Sequence, residues 1–483
     1  MLQVAALPLW PSRVHELQQV AFFSYAAPYR NVTTVRGSEG RRQRASLVLA
    51  GSLLGLGCGR TGLEAGDLAE PPLVDGGEEA LCPTGFADCD HVGRCATDLG
   101  ASSENCGACG NVCPEGLVCG AGVCRSPEDI VQVAASLHHT CALRASGEVL
   151  CWGDNHFGQL GDGTFEAHTT PMPVVGLADA VQIDSTAEGS ATPAVCARRA
   201  SGTISCWGSG SYGQLGNGSE EDQPVPVDVV GVVEAASVAT TWGSACALRR
   251  DGSVWCWGYN EFGGLGNGTT ESPSTAAPVV DLGRALQLDV GRISCVTLPS
   301  GEVACWGFDV YSWAGAGHAD LVPPAIAKNV SDAASVWLPA PYCVIHAGGT
   351  VSCTGLNEYG NIDADLPYDL TNGEMIAIDG VTDATRVVGT PTSTCALRAN
   401  GQVVCWGFNN HGVLGTGSFD QPDEKIVTVS GLEDAVHLAA GRWHVCAALG
   451  SRGVACWGAN QGGLLGDGTT EDRASPVPVL GLP

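Results

Sequence analysis

Cys141-Ala-Leu-Arg-Ala-Ser-Gly147-Glu-Val-Leu-Cys151-Trp-Gly153 decides the fold of this chain. The same ten-residue cysteine step recurs from Cys196 to Cys206, from Cys246 to Cys256, from Cys295 to Cys305, from Cys343 to Cys353, from Cys395 to Cys405 and from Cys446 to Cys456. Seven copies about fifty residues apart are the mark of a propeller or solenoid array. Each copy reads as a β-hairpin whose short loop ends in a glycine suited to a left-handed backbone, Gly147 in the first. Gly202, Gly252, Gly301, Gly349 and Gly401 take the same place, whereas the seventh copy has Arg452 there and Gly453 one residue later. In this register Cys141 faces Cys151, Leu143 faces Val149 and Arg144 faces Glu148, so each cysteine pair is close enough to bridge.

An alternating run precedes each hairpin, as in Ile130–Ala134, and a Gly-rich loop with a Pro-Val run follows it, as in Pro173-Val174-Val175. Four short strands per unit and seven units predict an all-β protein, a seven-bladed β-propeller of about fifty-residue repeats, over residues 127–483. An open β-solenoid and separate hairpin modules are the alternatives. The run Trp-Gly-x-Asn-x-x-Gly-x-Leu-Gly-[Asp/Asn]-Gly-Thr resembles the signature of the regulator-of-chromosome-condensation repeat family, itself a seven-bladed propeller family. It occupies Trp152–Thr164, with close copies at Trp207–Ser219, Trp257–Thr269, Trp406–Ser418 and Trp457–Thr469. The repeated tryptophan is expected to pack between blades. Copies four and five depart from the signature: Cys305-Trp306-Gly307 runs on into Phe308-Asp309-Val310-Tyr311-Ser312-Trp313, and the fifth reads Cys353-Thr354-Gly355.

The chain of 483 residues carries 23 Lys and Arg against 51 Asp and Glu, a formal net charge of −28. Within residues 127–483 the balance is 14 basic to 38 acidic, so the propeller itself is acidic. Such a surface repels phosphate backbones and anionic headgroups, and nucleic acid is not an expected partner.

Residues 1–34 carry no motif and are expected to be an over-extended gene model, because the secretory pattern begins only at Arg41-Arg42-Gln43-Arg44. The apolar run Ala45–Leu56 and Gly57-Cys58 complete it, so 1–57 is read as a signal region. The run is too short for a mature spanning helix. With cysteine at the cleavage point it resembles a bacterial lipoprotein signal, which implies lipidation of Cys58. The expected location is the bacterial outer membrane or cell surface, or otherwise the secreted fraction. Residues 58–80 form an acidic, Pro- and Gly-containing tether with a reach of roughly 25 Å.

Residues 81–125 hold eight cysteines, Cys82, Cys89, Cys95, Cys106, Cys109, Cys113, Cys119 and Cys124, and too few apolar side chains for a core. Structural disulfides are expected. Zinc and redox readings of Cys106-Gly-Ala-Cys109 lack paired knuckles or a βαβ setting, and the sequence does not choose a connectivity. These eight and the fourteen hairpin cysteines leave only Cys58 of the 23, the arithmetic of an oxidising compartment.

Catalytic patterns are missing: there is no Gly-x-Ser-x-Gly, no His-Glu-x-x-His and no phosphate loop opening a helix. His139 and His444, two residues before a hairpin cysteine, read as hydrogen-bonded strand residues, and neither a metal nor a cofactor is expected. Asp363, Asp365 and Asp369 lack the spacing of a calcium loop. The expectation is therefore a non-enzymatic, monomeric surface lipoprotein whose propeller binds an unidentified protein or surface polymer, touching the membrane only through its lipid. Guanine-nucleotide exchange, performed by some family members, and polysaccharide binding are the alternatives. The irregular copies four and five gather aromatics and acids, which nominates Tyr311, Trp313, Tyr359, Asp363 and Asp365 as partner contacts on loops over a rigid scaffold.

Overall fold

The computed structural model describes residues 82–482 apart from 90–94, 186–191, 292, 309–312, 315–319, 339–340, 364, 367–368, 371–372 and 452. The signal region, Cys58 and the tether therefore lie outside the described residues. Seven antiparallel sheets follow one another, each built from strands consecutive in the chain. The first blade comprises Ile130–Ala135, His139–Arg144, Val149–Gly153 and His168–Pro173, hydrogen-bonded in that order. The hairpin register is as the sequence predicts: Cys141 opposes Cys151 and Leu143 opposes Val149. The turn glycines hold positive φ, +93° at Gly147, and in the seventh blade that conformation falls on Gly453 at +94°.

Each hairpin carries its bridge. Cys141 is joined to Cys151, Cys196 to Cys206, Cys246 to Cys256 and Cys295 to Cys305. Cys343 is joined to Cys353, Cys395 to Cys405 and Cys446 to Cys456. All seven close across directly opposed cysteines with Cα atoms 4.0 to 4.1 Å apart.

The outer strands begin earlier than the Pro-Val runs suggest, at His168, Gln223 and Arg473 in blades one, two and seven. They carry prolines because an edge strand needs no donor on its open side. Blade five differs in splitting its outer strand into Asp369–Leu370 and Ile376–Ala377.

The innermost strands, such as Ile130–Ala135 and Ala180–Ser185, are the other sheet edges, and they stand around the central channel. Side chains from the neighbouring blade satisfy their open backbone groups. Gln132 grips Ile183 at both ends, donating to its carbonyl (2.7 Å) and accepting from its N–H (3.0 Å). Gln182 does the same to Val238, at 3.0 and 3.1 Å. Asp289 accepts from the Leu338 N–H at 3.0 Å, and Arg386 donates to the Leu438 carbonyl at 2.7 Å. This belt removes the exposed edges that would otherwise invite foreign strands.

The ring closes without strand exchange, since blade one is built wholly from the N-terminal end of the propeller and blade seven from the C-terminal end. The Leu464 carbonyl accepts from Trp152 Nε1 at 2.8 Å and from Thr140 Oγ1 at 3.0 Å across that seam. Four bridges hold the small module, Cys82–Cys95, Cys89–Cys109, Cys106–Cys119 and Cys113–Cys124. Residues 76–483 form one compact unit. Phe86 of the module lies buried against the Arg198 and Arg250 guanidinium groups, 5.4 and 5.2 Å from its ring centre. Arg198 is also paired with Asp98 at 2.7 Å. The module thus sits on the propeller face that carries the hairpin turns.

Candidate functional site

The signature loops lie on the opposite face, and their residues explain themselves. Asn155 accepts from the Leu160 N–H at 2.9 Å and donates to the carbonyls of Thr164 and Glu166 at 3.1 and 3.0 Å, so one amide holds the whole loop. Asn260, Asn409 and Asn460 repeat the contact to the following leucine N–H. Trp207 donates its Nε1–H to the Gln159 carbonyl of the preceding blade at 3.0 Å, and a Cβ on Gly161 would stand 2.8 Å from that indole nitrogen. The Leu-Gly of the signature is therefore a seat for the next blade's tryptophan.

The irregular blades obey the same logic, and this overturns one nominated contact. Trp313 is fully buried and packs on Tyr342 at 6.1 Å between ring centres. It takes the place of the seat glycine: Lys328 N–H bonds to the Trp313 carbonyl as Val175 N–H bonds to that of Gly161. The next blade has Thr354 where the others present tryptophan, so the large side chain has moved across the interface from one blade to the other. Trp313 is core, not a partner contact. Asn357 in blade five still holds its loop, accepting from Ile362 N–H at 2.9 Å, and the Asn361 carbonyl still receives Trp406 Nε1 at 2.9 Å. That loop has not been released from its pattern. Asp363 pairs with Lys425 at 3.2 Å and Asp365 pairs with the same ammonium, an ion pair to blade six. Tyr359 rests against Phe408 at 6.0 Å. Tyr311 lies outside the described residues.

The largest exposed aromatic feature among the described residues was missed in the sequence, on blades two to four. Tyr212, Trp242, Tyr259, Phe262 and Phe308 form an unbroken ladder with ring centres 4.7 to 6.1 Å apart. Trp242 is 37% exposed and Phe262 50% exposed, so the ladder faces solvent. Gly243 (φ +71°) makes the assembly possible, because a Cβ there would stand 3.2 Å from both the Tyr212 ring and Tyr259 Cβ. The Tyr259 hydroxyl donates to the Glu261 carboxylate at 2.7 Å; burial and that hydrogen bond hold its pKa well above the usual tyrosine value. A signal was available: Phe157, Tyr212 and Phe262 precede Gly158, Gly213 and Gly263, the same signature glycine in consecutive blades.

The channel is a second polar place. A cavity of about 40 Å³, room for about three waters, is lined by Asp184, Asp289, Trp337 and Arg386 among others. Burial pushes the Asp289 carboxyl up to about 7, with the nearby Asp184 charge adding to it. Burial likewise raises Asp184 to about 6, against the hydrogen bonds from Thr240. This is too small for a substrate. His139 bonds Ser136 Oγ at 2.7 Å and His444 bonds Thr140 Oγ1 at 3.0 Å; burial lowers their pKa values to about 3 and about 4. Neither is exposed for acid–base work. Three sulfurs, of Cys106, Cys113 and Cys124, lie close together, but all belong to disulfides.

Models of the regulator of chromosome condensation (RCC1) repeat match residues 130–159 and 235–263, and 146–191, 201–248, 251–284 and 400–448. Blades one, two, three and six carry regulator of chromosome condensation repeats. The ultraviolet-B receptor UVR8 of Arabidopsis thaliana is 27% identical over 356 residues, covering 73% of this chain and 70% of that protein. The probable E3 ubiquitin-protein ligase HERC4 of Homo sapiens is 41% identical over 98 residues, which are 20% of this chain and only 9% of that one. Among solved structures, yeast RCC1 (Prp20) bound to Kap60 has TM-score 0.60 at 16% identity, over 69% of this chain and 83% of that one. Prp20p of Saccharomyces cerevisiae, solved in a study of its binding to Gsp1p and histones, has TM-score 0.58 at 16% identity over 69% and 85%. At that identity the likeness is one of fold. The many disulfides suggest an extracellular or exported protein.

Proposed function

We propose that this chain is an exported, non-enzymatic binding scaffold, anchored to the envelope through a lipid on Cys58, whose signature-loop face receives the partner. The observation that carries the reading is the complete use of cysteine: eleven disulfides take every cysteine from Cys82 to Cys456. Thiols placed in this way persist as bridges only in an oxidising compartment. The same observation weighs against nucleotide exchange on a cytosolic GTPase, and the even blade spacing leaves no insertion to act as a wedge. One face already carries the Cys-rich module, which leaves the loop face, with its aromatic ladder, for a partner. Two measurements test the proposal in native cells. Alkylation without reduction should modify no cysteine of the mature protein, and a clickable fatty acid should label wild type but not Cys58→Ala. Several free hairpin thiols, or label retained in the variant, would overturn it.

A further inference from the structure

The aromatic ladder has a chemical setting that defines its occupant, and the inference rests on the scaffold reading above. Exposed Trp242 and Phe262 flank half-buried Tyr259, which gives two anchors around a fixed ring. Tyr259 stands edge-on to its neighbours, at 85° to Trp242, 69° to Tyr212 and 63° to Phe262. A run of rings turned against one another offers no continuous flat platform for successive sugar rings. It offers clefts between ring edges, which suit side chains.

The rim on blades two and three is acidic. Glu220, Glu221, Glu261 and Glu271 are all exposed, and the loops that these two blades contribute, 209–222, 241–244 and 258–273, contain no lysine or arginine, while the corresponding turn of blade four holds Arg292, outside the described residues. Lys425 and Arg442, basic groups of this face, belong to blades six and seven. A second copy of the chain would bring like charge against like charge, since a two-fold contact sets the same patch on itself. Anionic lipid and nucleic acid meet the same repulsion. Arginine meets the opposite: a carboxylate rim for its charge and ring faces for its guanidinium plane.

We propose that the ladder on blades two to four is the docking surface for a basic segment of a partner protein, in which arginines or lysines flank an apolar anchor. The anchor fills the cleft beside Trp242 and Phe262, and the flanking cations meet Glu220, Glu261 and Glu271.

The test uses the oxidised mature chain and three synthetic peptides of equal length: arginines flanking a Trp-Leu pair, arginines flanking a Ser-Ser pair, and glutamates flanking Trp-Leu. Affinities come from fluorescence anisotropy at physiological salt. The Arg/Trp-Leu peptide should bind tightest, and Trp242→Ala or Phe262→Ser should each weaken it at least about tenfold. Both substitutions should weaken the Arg/Ser-Ser peptide far less than the Arg/Trp-Leu peptide, because its cations still meet the carboxylates while it has no anchor to lose. Glu261→Gln combined with Glu271→Gln should weaken both arginine peptides together. Equal affinity of the Glu/Trp-Leu peptide, indifference of the Arg/Trp-Leu peptide to both aromatic substitutions, or no binding of it at all would overturn the proposal. So would retention on a neutral polysaccharide that is lost in Trp242→Ala, which would make the ladder a glycan site. These outcomes bear on the occupant alone, since export and lipidation are read separately by thiol and fatty-acid labelling.

Discussion

Trp313 shows how a single residue misleads when its neighbours in space are unknown. In sequence it stands in a loop that has lost its signature, among aromatics, and looks free to meet a partner. In the structure it fills the gap left by Thr354, beside Tyr342, which replaces the smaller residues found opposite tryptophan in other blades, such as Thr140 and Val195. Three changes thus offset one another across one interface: glycine to tryptophan in the seat, tryptophan to threonine on the strand, and a small residue to tyrosine beside it. Trp313→Ala should therefore cost about 3–5 kcal/mol, the usual penalty for emptying a buried tryptophan site. The triple change Trp313→Gly, Thr354→Trp, Tyr342→Thr, which restores the regular arrangement, should recover much of that loss. Thermal melts of the single and triple variants check this, and a Trp313→Ala protein that melts like wild type would return the residue to the surface. His139 and His444 were read correctly as strand residues, because the ten-residue cysteine step had already fixed the register around them.

At the scale of the element, the hairpin is the unit that the sequence specifies most completely. Its cysteine step, turn glycine and alternation all demand one register, and the bridges agree with it in all seven blades, from Cys196–Cys206 and Cys246–Cys256 to the irregular Cys343–Cys353. Replacing one pair, Cys395→Ser together with Cys405→Ser, should cost about 2–3 kcal/mol, the loop-closure value for a ring of this size. The readout is the shift in the denaturation midpoint of the oxidised proteins, and no shift would mean that the register is held by packing alone. The Cys-rich module is the opposite case, since its bridges could have been paired in many ways. What attaches it is equally invisible in sequence: Phe86 against two guanidinium groups, and the nearly buried Arg198–Asp98 pair. Arg198→Ala should release the module, because it removes one of the two cations over Phe86 and strands the Asp98 carboxylate. Limited proteolysis should then cut within residues 82–125 faster than in wild type while the propeller core persists; an unchanged rate would show that the remaining contacts suffice, such as Arg284 to Cys95 Sγ at 3.2 Å and the Thr84 N–H to the Leu286 carbonyl at 3.0 Å.

At the scale of the whole molecule, the ring couples its stability to pH in two opposed ways. His139, His444 and His437, whose Nδ1 accepts from the Val133 N–H at 3.4 Å, are held neutral by burial, so their folded pKa values lie below 6.5. Their contribution is complete above about pH 6.5 and is lost as pH falls towards 4 and 3. Asp184 and Asp289 are shifted upwards, to about 6 and about 7, so the stability they confer is complete below about pH 3.8 and is lost as pH rises through 6 to 7. The two slopes oppose each other between about pH 4 and 6.5. Asp289→Asn removes one falling contribution, so the melting temperature of the variant relative to wild type should climb steadily from about pH 4 to about pH 8. A constant difference would mean that the Asp289 carboxyl titrates normally. By itself the sequence determined the repeat, the blade count, the hairpin register and the pairing of each hairpin cysteine, because these are periodic and each copy corroborates the others. Only the tertiary structure decided which residues share a surface. The ladder draws Tyr212, Trp242, Tyr259, Phe262 and Phe308 from three blades, and the channel sets Asp184, Asp289 and Arg386 together from blades two, four and six. Such juxtapositions depend on ring closure, which brings side chains far apart in the chain within a few ångströms, and no local pattern records them.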